Sequence, residues 1–176
     1  TQGVSIQLPT SYATPSLATD YDLSVYALKE NTDSQLNPDD SHRVRFMVTG
    51  AFGELTSSVF SYQYENNKWN LAIRLRHENY PYANVTGNVP NNYVVEFYGT
   101  EADGYTKRNS FYLTSSISST YFSSDKIFYA GAHRANFTGS SVYNTDIKLG
   151  YLRYWHSYLS NDAIDQHAYD PETFGA

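Results

Sequence analysis

Two short stretches concentrate side chains able to recognise a ligand. In "AHRANFTG" (132–139), His133, Arg134, Asn136 and Phe137 bring together an imidazole, a guanidinium, an amide and a flat ring. Planar donors suit sugar hydroxyls and a ring suits the C–H face of a sugar, so these four are candidate ligand contacts. "HENYPY" (77–82) offers a second set, His77, Tyr80 and Tyr82, with Pro81 turning the chain between the tyrosines. Loops that link strands are polar by default, so both stretches also read as ordinary connections. A third stretch, "YLRYWHSYLS" (151–160), crowds four aromatic rings, a guanidinium and an imidazole together. It reads either as a stacking platform or as the seam where a strand leaves a core.

Other chemistries lack their residues. His42, His77, His133, His156 and His167 are widely separated and form no His-x-x-x-His or His-Glu-x-x-His pair, so no zinc site is expected. Neither Gly-x-Ser-x-Gly nor Gly-x-x-x-x-Gly-Lys occurs, so nothing points to a serine nucleophile or a nucleotide. The absence of cysteine removes disulfides and thiolate chemistry without excluding an extracellular home. Twelve Lys and Arg stand against 18 Asp and Glu, a formal charge of −6, and the basic residues are scattered; a nucleic-acid partner is not expected. No apolar run approaches the roughly 18 to 20 residues that span a bilayer, so membrane insertion is not expected. The start "TQGVSIQLPT" has neither an initiator Met nor a signal pattern, as in a mature or excised piece of something larger. The sequons at Asn84 and Asn136 matter only in a host that glycosylates.

The elements that must position these residues are strands. A chain of 176 residues suits one domain, and its 18 Tyr among many Ser, Thr and Asn favour β structure. Residues 1–22, with Pro9 and Pro15, form a lead-in holding an edge strand near 4–8, and the domain proper covers 23–176. Val44, Phe46 and Val48 alternate with Arg43 and Arg45. In "WNLAIRLR" (69–76) the odd positions are large and apolar and the even ones mostly polar, the pattern of a sheet with one buried and one wet face. Phe60, Tyr62 and Tyr64 alternate just before it, with "ENNK" as a turn, so 58–76 is predicted to be a β-hairpin. A second hairpin joins 92–99 to 111–113, and strands are predicted at 126–131 and 146–155 with a long loop, 132–145, between them. One helix is predicted, with Ser160 as cap, Asp162 at its positive end, and Ala163, Ile164 and His167 at helical spacing. Together these predict an all-β fold, an antiparallel β-sandwich or jelly roll with one short C-terminal helix.

Over about residues 23–170 the order of "SVFSYQYENNKWNLAIRLR", "NYVVEFYG", "NSFYLTSSI", "KIFYAGAH" and "DIKLGYLRYWHSYLSNDAI" resembles the laminin-G-like, concanavalin A-like jelly-roll family. Leu152, Arg153, Tyr154, Trp155, Leu159, Ser160, Asp162 and Ile164 stand where that family's closing strand and the turn after it have their typical residues. The resemblance, with the alternation, places Leu152 and Tyr154 inward, Arg153 and Trp155 outward, and uses Leu159 and Ile164 to dock the helix. It also implies a ligand at a loop rim or concave face, and calcium at the sandwich rim held by oxygens such as those of Asp103, Asn109 and Asp146, which are equally ordinary turn residues. Glucanases of similar fold carry Glu-x-Asp-x-x-Glu on a strand; "EADGYT" (101–106) lacks the second Glu and contains a turn glycine, so catalysis is not expected.

Two functional readings follow. One is a non-catalytic, lectin-like adhesin that binds glycans in a secreted, cell-surface or virion protein. The other is a structural module of a virion or surface assembly, whose tyrosines pack against other copies or other surface proteins with no soluble ligand.

Overall fold

The computed structural model describes residues 4–7, 23–30, 43–61, 68–80, 92–118, 132–134, 141–144 and 150–172. Among them are nine strands, β1 (Val4–Gln7), β2 (Ser24–Glu30), β3 (Arg43–Gly50), β4 (Gly53–Thr56), β5 (Lys68–His77), β6 (Asn92–Asp103), β7 (Thr106–Ser118), β8 (Ala132–Arg134) and β9 (Ser141–Asn144), and one helix, α1 (Asn161–Tyr169). This is the all-β class predicted from the alternation, consistent with a β-sandwich, with mainly antiparallel pairing and a short C-terminal helix. The chain divides into two compact units interleaved in sequence, Thr1–Asn67 with Asp125–Leu152, and Lys68–Ser124 with Arg153–Ala176. No described helix is long and apolar enough to cross a membrane.

The first unit holds a sheet in the order β1-β2-β3-β4. The strand expected near 4–8 is β1, and it runs parallel to β2 with Val4 opposite Val25. β2 and β3 are antiparallel, with Val25 opposite Val48 and Ala27 opposite Phe46 on one face and Tyr26 opposite Met47 on the other. All six side chains are buried. Gly53, at φ 91°, closes the turn between β3 and β4 in the left-handed region that a Cβ disfavours.

Three expectations about where strands run and pair are corrected. Phe60 does not open a hairpin with β5. Its N–H donates to the Val44 carbonyl at 2.8 Å and its carbonyl accepts from Val44 N–H at 2.9 Å, while its ring lies 6.2 Å from that of Phe46. The alternation around Phe60 was real, but its partner is β3; residues 62–67 lie outside the described chain. The segment 132–145 is not simply a loop, because β8 and β9 pair within it as an antiparallel hairpin. Residues 150–155 are not a strand, and Leu152 and Tyr154 are 71% and 70% exposed rather than inward. Alternation there imitates a strand, whereas the burial comes later, from Ile164 at 3% exposure. The predicted strand 126–131 and the rest of 146–155 lie outside the described residues.

In the second unit β5, β6 and β7 form an antiparallel meander. Its register sets Leu71, Gly99 and Phe111 in one row and Ile73, Phe97 and Leu113 in the next. Phe97 and Val95 on this face have no exposed surface. Gly99 is required by close approach: a Cβ there would lie 2.2 Å from Phe111 Cε1, because the Phe111 ring rests over the glycine and edge-on to Phe97 at 4.9 Å. The opposite face, predicted to be wet, is covered: Arg74, Glu96 and Thr100 are 7%, 1% and 0% exposed. α1 packs there against β5 and β6. Ser160 caps the helix, its Oγ accepting from Ala163 N–H at 3.2 Å, and Asp162 sits in the first turn.

Gly99→Ala is expected to lower stability by about 1–3 kcal/mol, the usual range for overpacking. Adding Phe111→Leu should recover part of that loss relative to Phe111→Leu alone, a coupling readable from urea midpoints of the four proteins.

Candidate functional site

Cross-strand pairing on the covered face of the second unit builds a polar and aromatic cluster. β5 contributes Arg74 and Arg76, β6 contributes Glu96 and Tyr98, and β7 contributes Lys107 and Tyr112. Period-2 geometry puts Arg74, Arg76, Glu96, Tyr98 and Tyr112 on one face, the register shift between Glu101 and Ala102 brings Lys107 to the same face opposite Ala102, and the register sets Arg74 opposite Glu96 and Tyr98 opposite Tyr112.

Glu96 is the hub. Its Oε1 accepts from Arg76 Nε at 2.5 Å and from the Tyr112 hydroxyl at 2.6 Å. Its Oε2 accepts from the Tyr158 hydroxyl at 2.9 Å and faces Arg74 Nε at 3.0 Å, a charge contact without the alignment of a hydrogen bond. Burial alone would push this carboxyl up, but the hydrogen bonds from Arg76, Tyr112 and Tyr158 and the charge of Arg74 together hold it below the usual glutamate value. The phenols move the opposite way: burial, reinforced by the bond to Glu96, raises both Tyr112 and Tyr158.

Arg74 has three aromatic neighbours. Its guanidinium carbon lies 5.0 Å from the ring centre of Tyr158, 5.6 Å from Tyr98 and 5.7 Å from Tyr112. Nη1 donates to the Leu159 carbonyl at 2.8 Å. The buried Nη2 meets no acceptor among the described residues, and the electron-rich ring faces take that place.

Beside it, Tyr98 donates to Asp165 Oδ1 at 2.7 Å, and Lys107 Nζ reaches the Tyr98 oxygen at 2.7 Å and Asp165 Oδ2 at 2.9 Å. Partial burial works against the lysine's charge, but these two partners outweigh it and Lys107 is pushed up to about 12. Farther along the link, Arg153 Nη1 lies 2.9 Å from His167 Nδ1. A guanidinium only donates, so Nδ1 accepts. The Trp155 ring stacks on this imidazole at 5.3 Å.

The outer boundary of the cluster is aromatic. Tyr112 is 47% exposed although its hydroxyl is fixed on Glu96, and Tyr80, 46% exposed, sets its ring 5.1 Å from that of Tyr158.

Of the residues predicted from sequence, the structure brings Tyr80 to this cluster. His77 ends β5, where its Nδ1 accepts from Asn79 N–H at 3.3 Å and its ring meets Tyr93 edge-on at 5.3 Å. Tyr82, Asn136, Phe137 and Asp146 lie outside the described residues. His133 and Arg134 are in β8 of the first unit, opposite Tyr143 and Ser141.

Asp103 pairs with Arg108 across the β6–β7 turn, and Asn109 Nδ2 donates to Glu101 Oε2 at 2.5 Å. As placed, the one carboxylate already has a cation and the one amide presents its nitrogen. Among the described residues no group of three or more His, Asp or Glu side chains could hold a metal ion.

Sequence reasoning missed Arg74, Glu96, Tyr98, Lys107, Tyr112, Tyr158 and Asp165 as a group. The signal was available in part, since pairing "WNLAIRLR" with "NYVVEFYG" in antiparallel register sets an arginine opposite a glutamate. Comparison with known proteins adds no identity, because no family model, curated protein or solved structure matches the chain.

Glu96→Gln leaves two guanidiniums without their anion and should cost about 3 kcal/mol at pH 7, within the range for a broken buried pair. The folded carboxyl titrates below the ordinary glutamate value of 4.5, so its stabilisation is full above that value and is lost as pH falls through the folded one. Urea unfolding of the native chain should therefore show a decline in stability below pH 4.5 that is diminished in Glu96→Gln.

Proposed function

We propose that the chain is a non-catalytic binding module whose ligand is carbohydrate, carried by a secreted, cell-surface or virion protein, in keeping with its resemblance to laminin-G-like jelly rolls. The observation that carries this reading is the ring of Tyr112. Its hydroxyl is tied to a buried carboxylate, a guanidinium lies over it at 5.7 Å, and nearly half of the residue stays open to solvent. A ring held in one orientation before the ligand arrives loses little freedom on binding, and its exposed surface suits the C–H face of a sugar. Tyr80 offers a second exposed ring in the same unit.

The carboxylates favour binding over hydrolysis. Glu96 is held ionised by its partners, Glu101 is 2% exposed and bonded to Asn109, and Asp103 is paired with Arg108. None of these is an open acid facing an open base at the separations glycoside cleavage uses.

A second reading, a structural module of a virion or surface assembly, is favoured by apolar surface that sugar binding at Tyr112 leaves unused. Tyr105 at the tip of the β6–β7 hairpin is 85% exposed, and in the first unit Tyr151 and Leu152 are 62% and 71% exposed.

A glycan array probed with the chain, with and without EDTA, tests the first reading. Binding should fall about tenfold or more in Tyr112→Ala and persist in Tyr112→Phe, which keeps the ring. No glycan bound, together with concentration-dependent self-association by analytical ultracentrifugation, would favour the assembly reading.

A further inference from the structure

One corner of the polar face already holds an anion supplied by the chain itself. The Asp165 carboxylate is gripped at both oxygens, by the Tyr98 hydroxyl at 2.7 Å and by Lys107 Nζ at 2.9 Å. Next to it Asn70 Nδ2 donates to the Ile164 carbonyl at 3.0 Å, Arg74 Nη1 donates to the Leu159 carbonyl at 2.8 Å, and Glu96 accepts from the Tyr158 hydroxyl at 2.9 Å. The strand-side groups sit on one sheet face, and all their partners come from the single segment 158–165. That segment offers the strands one carboxylate, two acceptor carbonyls and one hydroxyl donor.

An oligosaccharide containing uronic acid fills the same hydrogen-bonding roles, with its carboxylate in place of Asp165, hydroxyl and ring oxygens in place of the two carbonyls, and hydroxyl donors. The charges agree: with Asp165 displaced, Arg74, Arg76 and Lys107 face only Glu96 within the cluster, a local positive excess on a chain of net −6. The face beneath is built of Asn70, Arg74, Tyr98 and Lys107, side chains that water can solvate once the segment lifts, whereas the Phe97 face would expose hydrocarbon. Lys107, with 35% of its side chain exposed, lies at the accessible margin of the contact.

Building on the carbohydrate reading, we propose that segment 158–165 is an autoinhibitory cover that imitates the ligand, and that the ligand is an acidic oligosaccharide whose carboxylate takes the place of Asp165 between Lys107 and Tyr98.

Calorimetric titration of the full chain with tri-galacturonate, and in parallel with the neutral galactotriose, tests this. Asp165→Ala should tighten tri-galacturonate at least about tenfold more than it tightens galactotriose, and adding Lys107→Met should remove that gain. Should Asp165→Ala lose its fold, hydrogen exchange on the native chain decides: tri-galacturonate should speed exchange at the amides of 161–169, because the ligand displaces the helix.

Galactotriose binding that depends on Tyr112, with no selective gain for the acid and no faster exchange in the helix, would overturn the cover while leaving the carbohydrate reading intact. Failure of both sugars in every variant, with unchanged helix exchange, would overturn the cover, and a glycan array on which nothing binds would overturn the carbohydrate reading with it.

Discussion

A carboxylate taken out of water must be met on both oxygens, and in this protein that requirement is concentrated on Glu96. Its two oxygens together receive two guanidiniums and two phenols, drawn from β5, from β7 and from the link ahead of α1. Remove any of these groups and a buried charge or donor is left short of its partner, which is why the cluster acts as a unit. The strands hold the arginines, the arginines hold the carboxylate, and the carboxylate orients the tyrosines.

The two faces of the β5–β6–β7 sheet are therefore held by different physics. On one, Val95, Phe97 and Phe111 are buried hydrocarbon, fitted so closely that only glycine is accommodated at position 99. On the other, burial is achieved with charges and rings, and specificity of placement comes from directional bonds rather than from packing. A hydrocarbon face tolerates many residues of similar volume, whereas this one depends on particular donors and acceptors. It also leaves aromatic surface open at its boundary, where Tyr80 and Tyr112 reach solvent.

The sequence revealed the backbone better than the cluster. Period-2 alternation is a local signal, so β3, β5, β6, β7 and the capped helix were legible from neighbouring residues alone. Pairing is not local: the alternation around Phe60 was visible, but nothing nearby disclosed that its partner was Val44 rather than the next strand. Alternation at 150–155 misled for a related reason, since apolar spacing states that a strand could form without stating that a neighbouring strand is available to it. The polar positions of β5 were read as solvated because a single strand cannot reveal what lies above it. That cover depends on contacts between residues 58 to 94 positions apart. Tyr80 was reached by looking for exposed rings near a turn and Tyr158 stood in the aromatic stretch 151–160 without a sign of its bond to Glu96, while Tyr112 was hidden among 18 tyrosines with no local mark to set it apart.

The long sequence separation between the polar face and α1 has a consequence for synthesis. The meander from Lys68 to Ser118 leaves the ribosome before Asn161–Tyr169 has been made. During that interval its outer surface has no helix over it, and a nascent sheet with bare hydrocarbon there would invite association with other nascent chains. Asn70, Tyr98 and Lys107, which later bond to Ile164 and Asp165 of α1, instead give the waiting surface an amide, a hydroxyl and a charge that water can satisfy. The residues that later bind the helix thus also protect the half-made protein from aggregation.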